Sequence, residues 1–302
     1  MSGSPFQHGS GADAAATDAG LHPPSLHTAP PHAYLQRLGM LADDAIDLAH
    51  AALALAALDH PDCVLSEYLA HLDAIAEAAG AATSASASVD MQAAAVLEVM
   101  TTTFGYGGDS ETYDDMRNAD MIAVIDRRRG LPVALGILYI HAIRSYGGHV
   151  VGLAFPAHFC LRLESRGQRL ILDPFEAVIL GAQDLRARLK ERMHPDAEII
   201  PAYHQSVPAR EILLRLQNNI RFRAVRSGGL DRAREIIRRM LLFAPARADL
   251  CRELALIHAR QGDIRAAIAV VEHFVAEQQP SEETVDGLEN LLKRLRAATP
   301  RA

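Results

Sequence analysis

His158 and Cys160 stand two positions apart in the stretch FPAHFCLRL, and Asp173 follows in LILDPFEA. An imidazole, a thiol and a carboxylate are the parts of thiol-dependent acyl transfer. The carboxylate holds the imidazole in one tautomer, and the imidazole takes the thiol proton. Strand geometry limits the idea. If residues 157–165 form a strand, His158, Cys160, Arg162 and Glu164 share one face, and Phe159, Leu161 and Leu163 share the other. Residues i and i+2 on a strand lie about 6.5–7 Å apart at their Cα atoms, whereas a working thiol and imidazole approach to about 3–4 Å. Cys160 reads more simply as a small buried hydrophobe.

The elements that would position these residues can be read on either side. Residues 118–148 predict a helix from Asn118 or Asp120 that ends in Arg127, Arg128 and Arg129, three cations suited to a helix C-terminus. Gly130 is expected in the left-handed C′ position, and Pro132 at the first position of a second helix over 131–145. That second helix is apolar on nearly every side, so it belongs inside a domain. Three short strands follow at 149–155, 157–165 and 168–174, with a hairpin turn at SRGQ and an amphipathic helix at 182–193. A buried helix followed by an antiparallel meander is an α+β core.

Upstream, residues 34–58 carry one helical pattern, and further helices follow, the third capped by Asp90. The loop GYGGDSETYDD holds Asp109, Glu111, Asp114 and Asp115 without the spacing of a calcium loop, and reads as solvated. Residues 1–32 are rich in small residues, Pro and His, and read as a disordered tail. His22, His27 and His32 show no recurring ligand spacing, and neither do His141 and His149 nearer the core, so no metal or other cofactor is expected.

Downstream the chain repeats itself. Residues 227–250 resemble residues 260–285: Gly229 and Gly262 are 33 apart, Ala233 and Ala267 are 34 apart, and Pro245 and Pro280 close the two units. This is the period of tetratricopeptide repeats. Helices are expected near 211–226, 231–243, 247–260 and 264–277, with a capping helix near 282–297. The first of them carries Arg215, Asn218, Asn219, Arg221, Arg223 and Arg226. If these face the repeat groove they favour an acidic protein or peptide partner.

The order FGYGGDSETYDDMRNADMIAVIDRRRGLPVALGILY, PAHFCLRL, LILDPFEA and then two repeats resembles the SirB-one family of transglutaminase-like proteins, over roughly residues 40–290. The resemblance implies an α+β fold: N-terminal helices, a transglutaminase- or papain-like core with an antiparallel sheet, and C-terminal α–α tetratricopeptide repeats. The implied units are a tail at 1–32, helices plus core at 33–205, and repeats with a cap at 206–302. It also implies a nucleophilic Cys at the start of the buried helix, a His on one strand and an Asp on the next. His158 and Asp173 match. The nucleophile's position falls in Gly130–Ala134, which holds no Cys, Ser or Thr. The family commonly lacks that cysteine, so His158, Asp173 and Cys160 read as a relic set. The expected function is a non-catalytic scaffold that binds protein through its repeats. The alternative is a thiol-dependent hydrolase or amide transferase using Cys160, His158 and Asp173. A third reading is a part of a larger regulatory assembly with no ligand at the cleft.

Charge and composition narrow the field. The net charge of −7 argues against a nucleic-acid protein. It is unevenly spread: from Gln205 onward 17 Lys and Arg face 12 Asp and Glu, or +5, leaving −12 for the rest. The arginine run at 127–129 could be read as a nucleic-acid patch, but a helix end explains it better. Three widely spaced cysteines imply no disulfide framework and suit a reduced cytoplasm. The N-terminus has no signal-peptide pattern, and the run AALALAAL is far short of the ~20 residues a membrane span needs.

Overall fold

A computed structural model describes residues 24–156 and 158–298. The expected tail falls mostly outside the described residues, as does His22. Within it, packing starts before Ala33, because Leu26 is buried and Pro31 opens the first helix.

The helical pattern at 34–58 folds as two helices rather than one, α1 (Pro31–Leu38) and α2 (Leu48–Ala57), with a 3-10 turn at Asp43–Ala45 between them. Asp47 caps α2 by accepting from the His50 amide at 3.0 Å, which restarts the helix on a new axis. Two helices, α3 (Leu65–Ala82) and α4 (Val89–Glu98), complete this layer. The cap of α4 is Ser88, not Asp90, since the Ser88 hydroxyl accepts from the Met91 amide.

The core of the fold is α6 (Pro132–Ser145), whose residues are buried on nearly all sides as its apolar composition requires. A two-residue parallel ladder, β1 (Gly107–Gly108) with β2 (Arg129–Gly130), and α5 (Met121–Arg127) lead into it. The sheet follows: β3 (His149–Leu153), β4 (Leu161–Ser165), β5 (Gln168–Asp173), β6 (Val178–Leu180) and, later in the chain, β7 (Ser206–Val207). The strand order is β6-β5-β4-β3-β7, antiparallel throughout. Arg166 and Gly167 both take positive φ at the β4–β5 hairpin, the geometry of a type I′ turn. One sheet face packs on α6. The other packs on α7 (Ala182–Arg192) through Leu153, Phe155, Cys160, Leu180, Leu185 and Leu189.

Five helices follow: α8 (Ala209–Arg226), α9 (Leu230–Phe243), α10 (Ala248–Arg260), α11 (Ile264–Gln278) and α12 (Glu282–Ala297). Ala233 and Ala267 are fully buried where paired helices cross. The equivalent turn glycines are Gly228 and Gly262, both left-handed at φ 77° and 83°. They are 262 − 228 = 34 residues apart, so the whole repeat keeps the alanine spacing. The core begun by α1 and α2 continues without a break through α8 and α9 to Ile257. Arg210 helps to fasten that junction: it pairs with Asp43, donates to the Leu38 and Leu41 carbonyls at 3.0 Å, and reaches the Phe243 carbonyl at 2.6 Å.

The arginine run has a different role from the expected one. Arg128, not Gly130, is the left-handed residue that ends α5, at φ 57°. Gly130 instead lies in β2, where an added Cβ would sit 3.0 Å from Val124. Arg127 pairs with Asp109 at 2.5 Å, so that acid is buried rather than solvated. The Thr112 hydroxyl and amide also bind Asp109, and together these donors hold its carboxyl well below the usual carboxylate range. Arg129 donates to the Gly105 and Arg128 carbonyls. Arg128 donates to the Tyr106 hydroxyl at 2.7 Å and lies 2.6 Å from His71 Nε2.

Burial and the Arg128 charge push His71 down to about 4. A folded-state value below the unfolded ~6.5 means the unfolded chain binds the extra proton first. This stabilisation is therefore present above ~6.5 and is lost as pH falls toward 4. Unfolding in urea at pH 7 and at pH 5 should show a loss of about 1–2 kcal/mol from this group, discounted for its partial exposure. His71→Gln keeps an acceptor for Arg128 but does not titrate, and should remove that part of the pH dependence.

Candidate functional site

The site is built around the lead-in to β4. Pro156 has no N–H to continue a ladder, and β4 begins at Leu161 instead of 157. His158, Phe159 and Cys160 therefore lie ahead of the strand proper, although the Leu153 amide still bonds the Cys160 carbonyl at 2.9 Å. Phe159 anchors the segment. Its ring fills the space over Gly136 of α6 and Gly152 of β3; a Cβ on either would come within 2.5 or 2.8 Å of the ring. Gly136 is one helical turn from Pro132, the start of α6. Pro174, next to Asp173, lies against the same glycine. Two bare backbone positions thus hold the His158 segment, the Asp173 turn and the first turns of α6 together.

His158 Nε2 and Asp173 Oδ2 are 2.9 Å apart, with both side chains essentially inaccessible to solvent. The approach is close but not a straight hydrogen bond, and His158 Nδ1 has no partner among the described residues. Asp173 Oδ1 accepts from the Phe175 and Glu176 amides at 2.8 and 3.3 Å. Burial works to raise this carboxyl, but His158, the Phe175 amide and Arg188 outweigh it and hold the group below the usual carboxylate range.

Alternation carries Cys160 to the opposite face from Phe159, but both faces are buried, so the polar face expected from the sequence is not open to water. Cys160 is fully buried in the apolar layer under α7. Burial and the nearby Asp173 charge push its thiol up to about 12. The start of α6 is filled by Leu131, Pro132 and Val133, all buried. Among the described residues no group of three His, Cys, Asp or Glu side chains is placed to hold a metal.

A model of the transglutaminase-like superfamily matches residues 66–218, which include α6, His158, Asp173 and the first half of α8. The chain belongs to the transglutaminase-like superfamily. A tetratricopeptide-repeat model matches residues 220–293. The chain is 26% identical over 253 residues to a UPF0162 protein of Xylella fastidiosa, covering 82% of this chain and 90% of that one. It is 33% identical over 165 residues to a UPF0162 protein of Vibrio cholerae, covering 54% and 61%. It is also similar to Protein SirB1 of Salmonella typhimurium, 24% over 160 residues, covering 53% and 59%. These findings bear out a SirB-family chain with a mixed α/antiparallel-β domain followed by helical repeats.

Arg188 on α7 carries part of the site and was invisible as such in the sequence. It reaches Asp173 Oδ2 at 2.6 Å and Glu176 at 2.5 Å. Nothing in the amphipathic pattern of 182–193 marks this arginine off from its neighbours. Tyr139, on α6, has a buried hydroxyl without a partner among the described residues, and burial together with the Asp173 charge raises its phenol strongly.

The six residues expected at the groove do not stay together, and Arg226 is exposed at the end of α8. Arg221 is buried and paired with Glu253, its guanidinium 4.4 Å from the centre of the Phe222 ring. Arg223 is held by Asp114 at 3.1 Å and by the Tyr113 carbonyl. Arg215, Asn218 and Asn219 share another face of α8 and line a cavity of about 670 Å³. Its far wall is Ala154–Pro156 and its floor is Gln205–Pro208. Arg215 reaches across to lie 5.5 Å from the centre of the Phe159 ring, between His158 and Cys160 in sequence. Helix α8 and the His–Asp segment thus border one cleft.

Proposed function

We propose that this is a non-catalytic transglutaminase-like protein that binds a protein partner through its repeats, acting in the bacterial cytoplasm with no cofactor. The observation that carries the reading is the state of the thiol next to the His–Asp pair: among the described residues Cys160 is buried in the apolar layer under α7 and pushed up to about 12. A thiol at that value is not a nucleophile near neutral pH. The repeat helices support the binding half, since stacked helix pairs present an extended surface to peptide segments. An acidic partner is favoured by the +5 balance from Gln205 onward. Residues 33–205 and 206–302 are proposed as its two units. No helix among the described residues is long and apolar enough to cross a membrane.

Iodoacetamide labelling of the native protein from pH 6 to pH 9, read at each cysteine by mass spectrometry, tests the catalytic half. Half-exposed Cys63 should label first, and Cys160 should resist throughout, in the wild type and in His158→Ala alike. Fast labelling of Cys160 below pH 7 that slows in His158→Ala would restore the thiol hydrolase or amide transferase reading.

A further inference from the structure

The cavity between α8 and the β3–β4 connection contains an uncompensated cation. On α8, Arg210, Arg221 and Arg223 each pair with a carboxylate. Arg215 does not. Its neighbours are the Phe159 ring, Cys160 and Tyr113, and among the described residues no acid lies within ion-pair distance. It is half-buried, and burial pulls its guanidinium down from its ordinary value. A cation withdrawn from water without a counter-charge is costly to keep, and an arriving carboxylate would relieve that cost with a bidentate pair. One turn along α8, Asn218 Oδ1 is buried without a partner and lines the same cavity, a free acceptor for an incoming N–H. Asn219 is already committed: its amide donates to the Arg215 carbonyl and its Oδ1 accepts from Arg223. That bond stiffens the turn of α8 on which Arg215 stands.

The shape favours a chain over a small anion. The volume of about 670 Å³ exceeds what one carboxylate fills, and Phe222, 56% exposed, offers an apolar rim. The floor is β7, one of the two edge strands of the sheet, paired only with β3. Edge strands pair readily with extended peptides.

We infer that this cavity seats an extended protein segment and anchors it by an Asp or Glu side chain on Arg215, with Asn218 accepting from the segment's backbone. The inference rests on the partner-binding reading above but places the contact at the junction of the two modules rather than along the repeats. It gives the transglutaminase-like cleft a role that needs no nucleophile.

The full chain is panned against phage-displayed random dodecapeptides, and selected peptides are resynthesised with fluorescein for anisotropy titration. The expected result is enrichment of peptides with an Asp or Glu beside apolar residues. Their affinity should fall about tenfold or more in Arg215→Gln, as for a desolvated charge pair, and much less in Arg252→Ala on α10. Replacing the peptide's acid by Lys should abolish binding to wild type and restore it to Arg215→Glu. If Arg215→Gln does not fold by circular dichroism, Asn218→Asp, nearly isosteric, adds a repelling charge at the cavity and should weaken binding comparably. Peptides lost in Arg252→Ala but unaffected at Arg215 and Asn218 would overturn this site while leaving repeat-mediated binding intact. Selection of no peptide would overturn both.

Discussion

Replacing Asp173 with alanine is expected to lower the free energy of unfolding by about 3–5 kcal/mol, the range for breaking a buried charge pair from one side. The expectation follows from what the substitution strands. Asp173 is inaccessible, and Arg188, with 14% of its side chain exposed, and His158, with 2%, both converge on the same oxygen. The Phe175 and Glu176 amides would also lose their acceptor. Asp173→Asn keeps the shape and an acceptor but not the charge, so it should cost less. The native aspartate should also show in the acid limb. Its folded-state pKa lies below the ordinary value of about 3.9, so its contribution is complete above that value and is lost as pH falls through the folded one. The Asn variant should lack this component of acid unfolding. Urea titrations at pH 7 and pH 3.5 measure both effects. A loss under 1 kcal/mol for the alanine variant at pH 7 would mean that the pair is solvated, and a binding or proton-transfer role for His158 would return.

The sequence marks the elements of this fold well where one period dominates and less well where contacts are non-local. The apolar run 131–145 is helical from Pro132 because a proline costs nothing at a first helical position and every later residue can be buried. The repeat helices fall within two residues of expectation, since the positions of Ala233, Ala267, Pro245 and Pro280 depend only on neighbouring helices. Arg127 closes α5 as a helix-dipole argument expects, but the partners that fix the run lie elsewhere in the chain: Asp109 is 18 residues away and His71 is 57. A helix-dipole argument sees only the local part of that. His158 and Asp173 are matched as a pair by the family resemblance, and the structure brings them to 2.9 Å although His158 lies ahead of β4 and outside its ladder. Arg188 was not legible, since only the packing of α7 across the sheet brings it to Asp173. The face of Cys160 was correct by alternation, but its surroundings were not: alternation says which side a residue takes, and not whether another helix covers that side.

The cleft has a consequence for how the two modules act. Arg215 and Phe159 both lie in the stretch matched by the transglutaminase-like model, and their contact has a fixed geometry only if α8 is rigidly seated against the sheet. A continuous core and the β3–β7 pairing supply part of that seating. Arg210 adds an ion pair with Asp43 and hydrogen bonds to the Leu38, Leu41 and Phe243 carbonyls. A binding site shared by α8 and the sheet is as stable as the junction between them, so the junction is where the architecture is most sharply tested.

Asp59, at the end of α2, is the main charged tie from the N-terminal helices to α9. Its carboxylate meets Arg232 and, at 2.7 Å, Arg239, whose side chain is only 8% exposed. Burial works to raise Asp59, but the two guanidinium groups hold it below the usual range. Asp59→Ala should cost about 2–4 kcal/mol, because Arg239 keeps only Glu235 at 3.1 Å as a counter-charge. Arg239→Met in the same chain removes the stranded cation and should recover part of the loss, a coupling that a double-mutant cycle isolates. Urea unfolding followed by far-ultraviolet circular dichroism and by labelling of buried Cys251 gives one probe for the whole chain and one for the repeats. Cys251 sits in the smaller core of α10–α12, but α10 also gives Leu250, Leu254 and Ile257 to the core that runs from α2 into α9, so both probes should shift together to a lower midpoint. If Cys251 becomes reactive well before the bulk transition, the repeats come away on their own.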